Sequence, residues 1–213
     1  NQIFKAEHST ANKLTGASDI VLLNKSSTAL VASFYDGALS VFDKQTGGQF
    51  AQSNVFSDNL TAQRVFKSNE PVGVLDKLGL LGAWGIAKSD DEQDIFVASY
   101  KSDAIVHFNV GAEGKLKLIQ RINSTSLQKA ALGSPVDVIH VQQTGELFVA
   151  GFGNNTISIL SQQLNGSYAL KQQLSNGKNN VSNLVNPQKL MLSKSGLYLY
   201  VACAGSNTIA VFK

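Results

Sequence analysis

Apolar residues gather along this chain in short runs split by polar turns rich in Gly, Asn and Ser, and the runs recur in a fixed order. Four segments align on the pairs Val31-Ala32, Val97-Ala98, Val149-Ala150 and Val201-Ala202. Eleven places before each Val stands an aliphatic residue: Ile20, Ile86, Val138 and Leu190. Eight places after it stands another, Leu39, Ile105, Ile157 and Ile209, followed by Phe42, Phe108, Leu160 and Phe212. Run length, β-branched and aromatic enrichment and the flanking turn residues predict strands, and no 3.6-residue apolar stripe competes. A further run opens nineteen places after the Val, at Phe50, Leu116 and Tyr168. Each unit therefore reads as four strands, A to D, joined by turns.

Units of about fifty residues built as four-stranded meanders predict a β-propeller, each unit one blade. Inner strands such as Ile20-Val21-Leu22-Leu23 are apolar at consecutive positions, which suits coverage on both faces by neighbouring blades. Outer strands such as Lys115 to Ile122 mix charge with apolar residues, as sheet edges do. The anchors lie 66, 52 and 52 residues apart, and closing the circle through the termini adds 43 steps, about one C-to-D turn short of a unit. The chain stops after strand C at Phe212-Lys213 and opens with Gln2 to Ala6, which reads as an orphan strand D. The expectation is one all-β domain over residues 1–213: a closed propeller of four four-stranded antiparallel blades, the N-terminal strand completing the last. A segment of a larger propeller would carry the same pattern, and a dimer completing an eight-blade ring is a further arrangement.

Charged residues make up 15% and hydrophobic ones 43%, which excludes a disordered chain or a coiled coil. A net charge of +3 without a Lys/Arg cluster argues against nucleic acid as partner. The lone Cys203 stands where other units have Ser33, Ser99 and Gly151, the place of a small core residue. No apolar run reaches the roughly 20 residues of a membrane helix. No signal peptide pattern opens the chain, which leaves export open.

The stretch from Asn186 to Phe212, NPQKLMLSKSGLYLYVACAGSNTIAVF, resembles the YVTN-type and lactonase-like propeller repeat. Ser134 to Leu160 is similar to a second copy; Ala17 to Asp43 and Ala83 to Asn109 match less well. The resemblance implies a propeller. It extends to sugar-lactone hydrolases and to bacterial surface and periplasmic proteins of non-catalytic or unknown role, so a periplasmic or extracellular bacterial location is expected. Such relatives have six or seven blades, whereas four units are found here, and a four-blade ring leaves little channel width for a substrate.

In a propeller the D-to-A and B-to-C connections share one face, with the start of strand A nearest the axis. Asp19, Gly85, Asp137 and Lys189 align there, with Trp84 beside Gly85. Asp19 and Asp137 could hold a hard divalent cation such as calcium through oxygen ligands, or act as acid and base. Equally, they could cap the turns into strand A, with Lys189 neutralising them. The B-to-C edges bring Phe34-Tyr35, Tyr100-Lys101 and Phe152 to the same face, where aromatic rings suit carbohydrate or peptide binding or simply pack between blades. The connection from Ser57 to Gly82 exceeds its counterparts and carries Arg64, Lys67, Glu70 and Asp76, so it reads as a lid on the mouth or a hairpin packed on the ring. His107 and His140 replace aliphatic blade residues and read as core. No HExxH, CxxC, GxSxG or phosphate-loop motif is present.

These features lead first to a non-catalytic binding or interaction propeller, monomeric or dimeric, with a protein or carbohydrate partner on the loop face. The candidate ligand-binding residues are Asp19, Tyr35, Arg64, Trp84, Tyr100, Lys101, Asp137 and Lys189. The alternatives are a lactonase-like hydrolase with a divalent metal at Asp19 and Asp137, and a structural module of a larger surface protein.

Overall fold

The structure, a computed structural model, describes residues 2–5, 13–58, 76–128 and 132–213. Its elements are four antiparallel sheets in chain order. The first joins β1 (Ala17–Leu23), β2 (Thr28–Ser33), β3 (Ala38–Lys44) and β4 (Phe50–Ser57). The second joins β5 (Ala83–Lys88), β6 (Asp94–Ser99), β7 (Ala104–Val110) and β8 (Leu116–Asn123). The third joins β9 (Pro135–Val141), β10 (Glu146–Gly151), β11 (Thr156–Gln162) and β12 (Tyr168–Ser175). The last has three strands, β13 (Pro187–Leu192), β14 (Leu199–Cys203) and β15 (Thr208–Phe212). This is a four-bladed β-propeller-like fold, and Phe50, Leu116 and Tyr168 each open an outer strand as their spacing predicts.

The sequence alignment is the strand register. Ile20, Ile86, Val138 and Leu190 pair directly across from Val31, Val97, Val149 and Val201. Ala32, Ala98, Ala150 and Ala202 pair with Leu39, Ile105, Ile157 and Ile209. Each inner strand carries a bulge at one place, so Ser18, Trp84, Val136 and Gln188 stand out of the ladder. A bulge re-aims a side chain and tightens the local twist. The lead-in to every inner strand is left-handed, at Gly16, Gly82, Ser134 and Asn186, with φ from 48° to 70°.

Apolar cores lie between successive sheets. Leu30, Leu39 and Val41 of the first sheet meet Ile86, Val97 and Phe108 of the second. Phe96 and Ile105 meet Val138, Val149 and Leu160 of the third. Ala150 and Ile157 meet Leu190 and Val201 of the fourth, and the thiol of Cys203 is buried there as its repeat position implies. His107 and His140 are likewise blade residues, both stacked on Phe96, at 4.6 and 5.7 Å.

Two expectations take a different form. Gln2 to Lys5 do not add a strand to the last sheet; they lie against the first. The Gln2 amide both donates to and accepts from the Phe50 backbone, and the Phe4 ring sits 4.7 Å from that of Phe42. The apolar side of the first sheet gives the Phe4 ring a partner in Phe42 and walls of Ile20, Leu22 and Val31 to bury against. Nor is β1 covered on both faces, since Ile20 and Leu22 are exposed where Ile86 and Val138 are buried. No sheet packs there: the sheets join in succession, and among the described residues no comparable packing links β13–β15 to β1–β4.

Candidate functional site

The start of each inner strand carries the residues that meet at the mouth. A cleft of about 290 Å³ is lined by Asp19, Trp84, Asp137 and Lys189, with Ser18 and Gly85 between them. The predicted convergence of two carboxylates, an ammonium and an indole is therefore real. The bulge lifts Trp84 out of its ladder, and Ser18 Oγ bonds the carbonyls of Ala83 and Trp84, fixing that lift from the neighbouring sheet.

The carboxylates are tied to the backbone. Asp19 Oδ2 accepts the Ile86 N–H at 2.9 Å and Oδ1 accepts its neighbour's N–H at 2.8 Å. Asp137 Oδ2 accepts the Leu190 N–H at 2.7 Å, while Oδ1 accepts Lys189 Nζ at 2.8 Å. Each Asp thus fastens its own inner strand to that of the next sheet. Between them Gly85 leaves the room this needs, because a Cβ there would lie 2.7 Å from the Val136 carbonyl oxygen and 3.0 Å from Asp137 Oδ1. Burial pushes the Asp137 carboxyl above its ordinary value, against the pull of the Lys189 ammonium. Lys189 is itself raised: burial opposes its charge, but the hydrogen bond and charge of Asp137 outweigh it, with Asp19 adding to them. Among the described residues no three His, Cys, Asp or Glu side chains gather as a metal site. Any ion held by Asp19 and Asp137 would share oxygens already engaged with backbone and Lys189.

Beside the cleft runs a row of aromatic rings. Tyr35 meets Phe34 edge-on at 5.2 Å, Phe34 meets Trp84 edge-on at 5.3 Å, Trp84 lies 6.3 Å from Tyr100, and Tyr100 lies 6.3 Å from Phe152. These spacings suit favourable aromatic pairs. The row crosses three sheets, and Tyr35 at its end is half exposed. Lys101 follows Tyr100 in the turn, its backbone N–H bonded to the Leu81 carbonyl, and is exposed.

Arg64, with Lys67 and Glu70, lies outside the described residues. At the far end of that connection Asp76 is buried and paired with Arg121 of β8 at 2.8 Å, and Leu80 and Leu81 are buried. The return of the connection is thereby anchored to the second sheet.

Sequence reasoning did not find the turn residues that join the sheets. Asp103 accepts the Ser134 N–H at 2.7 Å and Asn155 accepts the Asn186 N–H at 2.8 Å, each from a left-handed position six places after its anchor Val. Their shared offset was the available signal.

No family model matches the chain, and no curated protein does. Solved structures do. A Lactobacillus plantarum protein superposes with TM-score 0.62 at 14% identity over 92% of this chain and 56% of its own. Kuenenia stuttgartiensis hydrazine synthase gives 0.62 at 13% over 99% and 48%. A putative 6-phosphogluconolactonase from Bacteroides fragilis gives 0.52 at 16% over 93% and 67%. The likeness is one of fold. The chain spans about half the length of the first two.

Proposed function

We propose that this chain is a non-catalytic binding module whose loop face takes a carbohydrate or protein partner along the aromatic row. The observation that carries the reading is the continuous line Tyr35, Phe34, Trp84, Tyr100, Phe152 beside a polar cleft. Rigid rings give contact area at small entropic loss, and the exposed Lys101 and Lys189 at the margin supply hydrogen bonds that select orientation. The carboxylates favour this reading too: oxygens committed to inter-sheet bonds serve as structure more readily than as acid and base.

Trp84 is the one tryptophan of the sequence, so its fluorescence reports the site directly. Titration with neutral oligosaccharides and with peptide mixtures should shift or quench its emission, and Tyr35→Ala, at the half-exposed end of the row, should weaken the response with the melting temperature little changed. Saturating ligand that leaves the emission unmoved, across both classes, refutes the proposal.

A second reading, a lactone hydrolase with a divalent ion at Asp19 and Asp137, is supported by the lactonase-type fold neighbour and by the carboxylate pair. Calorimetric titration with calcium separates the two: heat that vanishes in Asp137→Asn, together with release of acid from a sugar lactone, would favour the hydrolase.

A further inference from the structure

We propose, resting on the binding role of this face, that the mouth cleft takes a lysine side chain of a protein partner, its ammonium on Asp19 and its stem against Trp84. The repeat carries a template for such a site. Asp19, Gly85, Asp137 and Lys189 hold one register position, each paired with the Ala of its Val-Ala pair. Each Asp fastens the inner strand of the following sheet, Asp19 through the Ile86 N–H and Asp137 through the Leu190 N–H. For Asp137 the following sheet also supplies Lys189, whose ammonium lies 2.8 Å from Oδ1. For Asp19 the same position is Gly85, which has no side chain to offer. Asp19 therefore has the backbone half of the arrangement without the cation: its oxygens accept the Ile86 and Ile20 N–H groups, and among the described residues no ammonium or guanidinium bonds it. The place lies inside the array, where β1 packs on β5 and β5 on β9.

Charge and ring chemistry select the same occupant. Of the residues lining the cleft of about 290 Å³, the charged ones are two carboxylates, Asp19 and Asp137, and one ammonium, Lys189. Lys189 is paired with Asp137, so the charge left over is that of Asp19. A carboxylate has about four acceptor sites, and two backbone N–H groups leave Asp19 room for a further donor. Asp137 shows that holding a strand and holding an ammonium are compatible. Trp84, lifted from its ladder by the bulge, lines the same cleft, and an indole attracts a cation more strongly than any other aromatic side chain.

Lysine suits the place better than arginine. Each Asp19 oxygen already holds a backbone N–H, so a planar guanidinium fork does not find two free oxygens side by side, whereas a compact ammonium needs one acceptor. The aliphatic stem of lysine is the apolar body that a ring can cover while the head stays on its counter-charge.

The emission of Trp84, the one tryptophan, reads the cleft. Titration with the blocked peptide Gly-Ser-Lys-Ser-Gly should shift it to saturation, and added salt should weaken the binding. The same peptide with norleucine, which keeps the stem and lacks the charge, should leave the emission unmoved, and the arginine peptide should bind more weakly. Asp19→Asn keeps an acceptor oxygen for the Ile86 N–H and removes the charge, so it should melt close to wild type and bind the lysine peptide about fivefold more weakly. The comparison of lysine with norleucine uses wild-type protein and stands whatever the variant does. Equal responses to those two peptides, or a folded Asp19→Asn that binds as wild type does, overturn the proposal. So does a response to neutral oligosaccharide with none to the lysine peptide, which leaves the binding role of the aromatic row in place; silence toward every ligand removes both.

Discussion

Glu92 is the sharpest test of how the sheets are held. It sits in the turn between β5 and β6, buried, at a left-handed φ of 58°. Its carboxylate accepts the Lys25 N–H at 2.9 Å, the Asn24 N–H at 3.1 Å and the Asn24 amide at 3.3 Å, and pairs with Lys88. Lys88 in turn donates to the Leu22 carbonyl, so one carboxylate ties the second sheet to the first at the end away from the mouth. The Lys88 hydrogen bond, followed by that from Lys25, lowers its pKa from 4.5 to about 2. At 1.36 kcal/mol per unit, such a shift is worth about 3 kcal/mol, and solvent screening around the turn reduces it to about 1–2 kcal/mol. Because the folded pKa lies below the unfolded one, this stability is fully present above about pH 4.5 and is lost as pH falls toward 2. Urea unfolding of wild type and Glu92→Gln should therefore differ by about 1–2 kcal/mol at pH 7, and the gap should close by about pH 2. Other carboxylates titrate in both proteins and cancel. A gap that is absent at pH 7, or constant across the range, refutes the carboxylate as the fastener.

Three further outcomes follow from the same geometry. Gly85→Ala places a methyl 2.7 Å from the Val136 carbonyl oxygen and should cost about 1–3 kcal/mol, read as a lower denaturation midpoint; an unchanged midpoint would mean the inner strands are looser than described. Asp137→Ala strips the acceptor from the Leu190 N–H in a buried setting and should cost about 1–3 kcal/mol, whereas Asp137→Asn, which retains an acceptor oxygen, should cost less; equal losses would assign the effect to the Lys189 pair alone. Burial lowers the His140 pKa, and its Nδ1 has no partner, so wild-type stability should fall as pH drops below 6.5; His140→Leu, the residue of its counterparts Leu22 and Leu192, should stabilise more at pH 5 than at pH 8, and an equal gain at both would contradict the charge argument.

The repeat was legible because register is a periodic property. Pairing Ile20 with Val31 and Ala32 with Leu39 in every sheet demands fixed offsets, and a single-sequence alignment finds fixed offsets directly. What occurs once has no such echo. Phe4 reads as part of an outer strand because the last unit stops after its third strand and Gln2 to Ala6 resemble the missing fourth. Its place on Phe42 depends on which apolar face stands bare, a property of the assembled array that no window of sequence contains. Coverage of β1 differs for the same reason: Ile20 has the composition of a covered residue, and its exposure depends on which sheet packs beside it, none doing so among the described residues.

The mouth shows the same division in its chemistry. Aligned positions foretold that Asp19, Asp137, Lys189 and Trp84 would meet, since strand starts at equal offsets must share one end of the array. Their roles were not foretold, because a carboxylate that binds an ion and one that binds a backbone N–H are the same letter. The distinction came from register: the bulge at Ser18 and Val136 rotates the following Asp toward the next sheet, where Ile86 and Leu190 present N–H groups that a flat ladder would not expose to it. Gly85 completes the argument from the other side. In the second unit the aligned position holds no carboxylate, and a carboxylate there would occupy the space of Asp137 itself. Along the mouth the aligned series runs Asp19, Gly85, Asp137, Lys189, and its two carboxylates serve close packing of the inner strands, Asp19 holding the Ile86 N–H and Asp137 the Leu190 N–H across the gap that Gly85 leaves open.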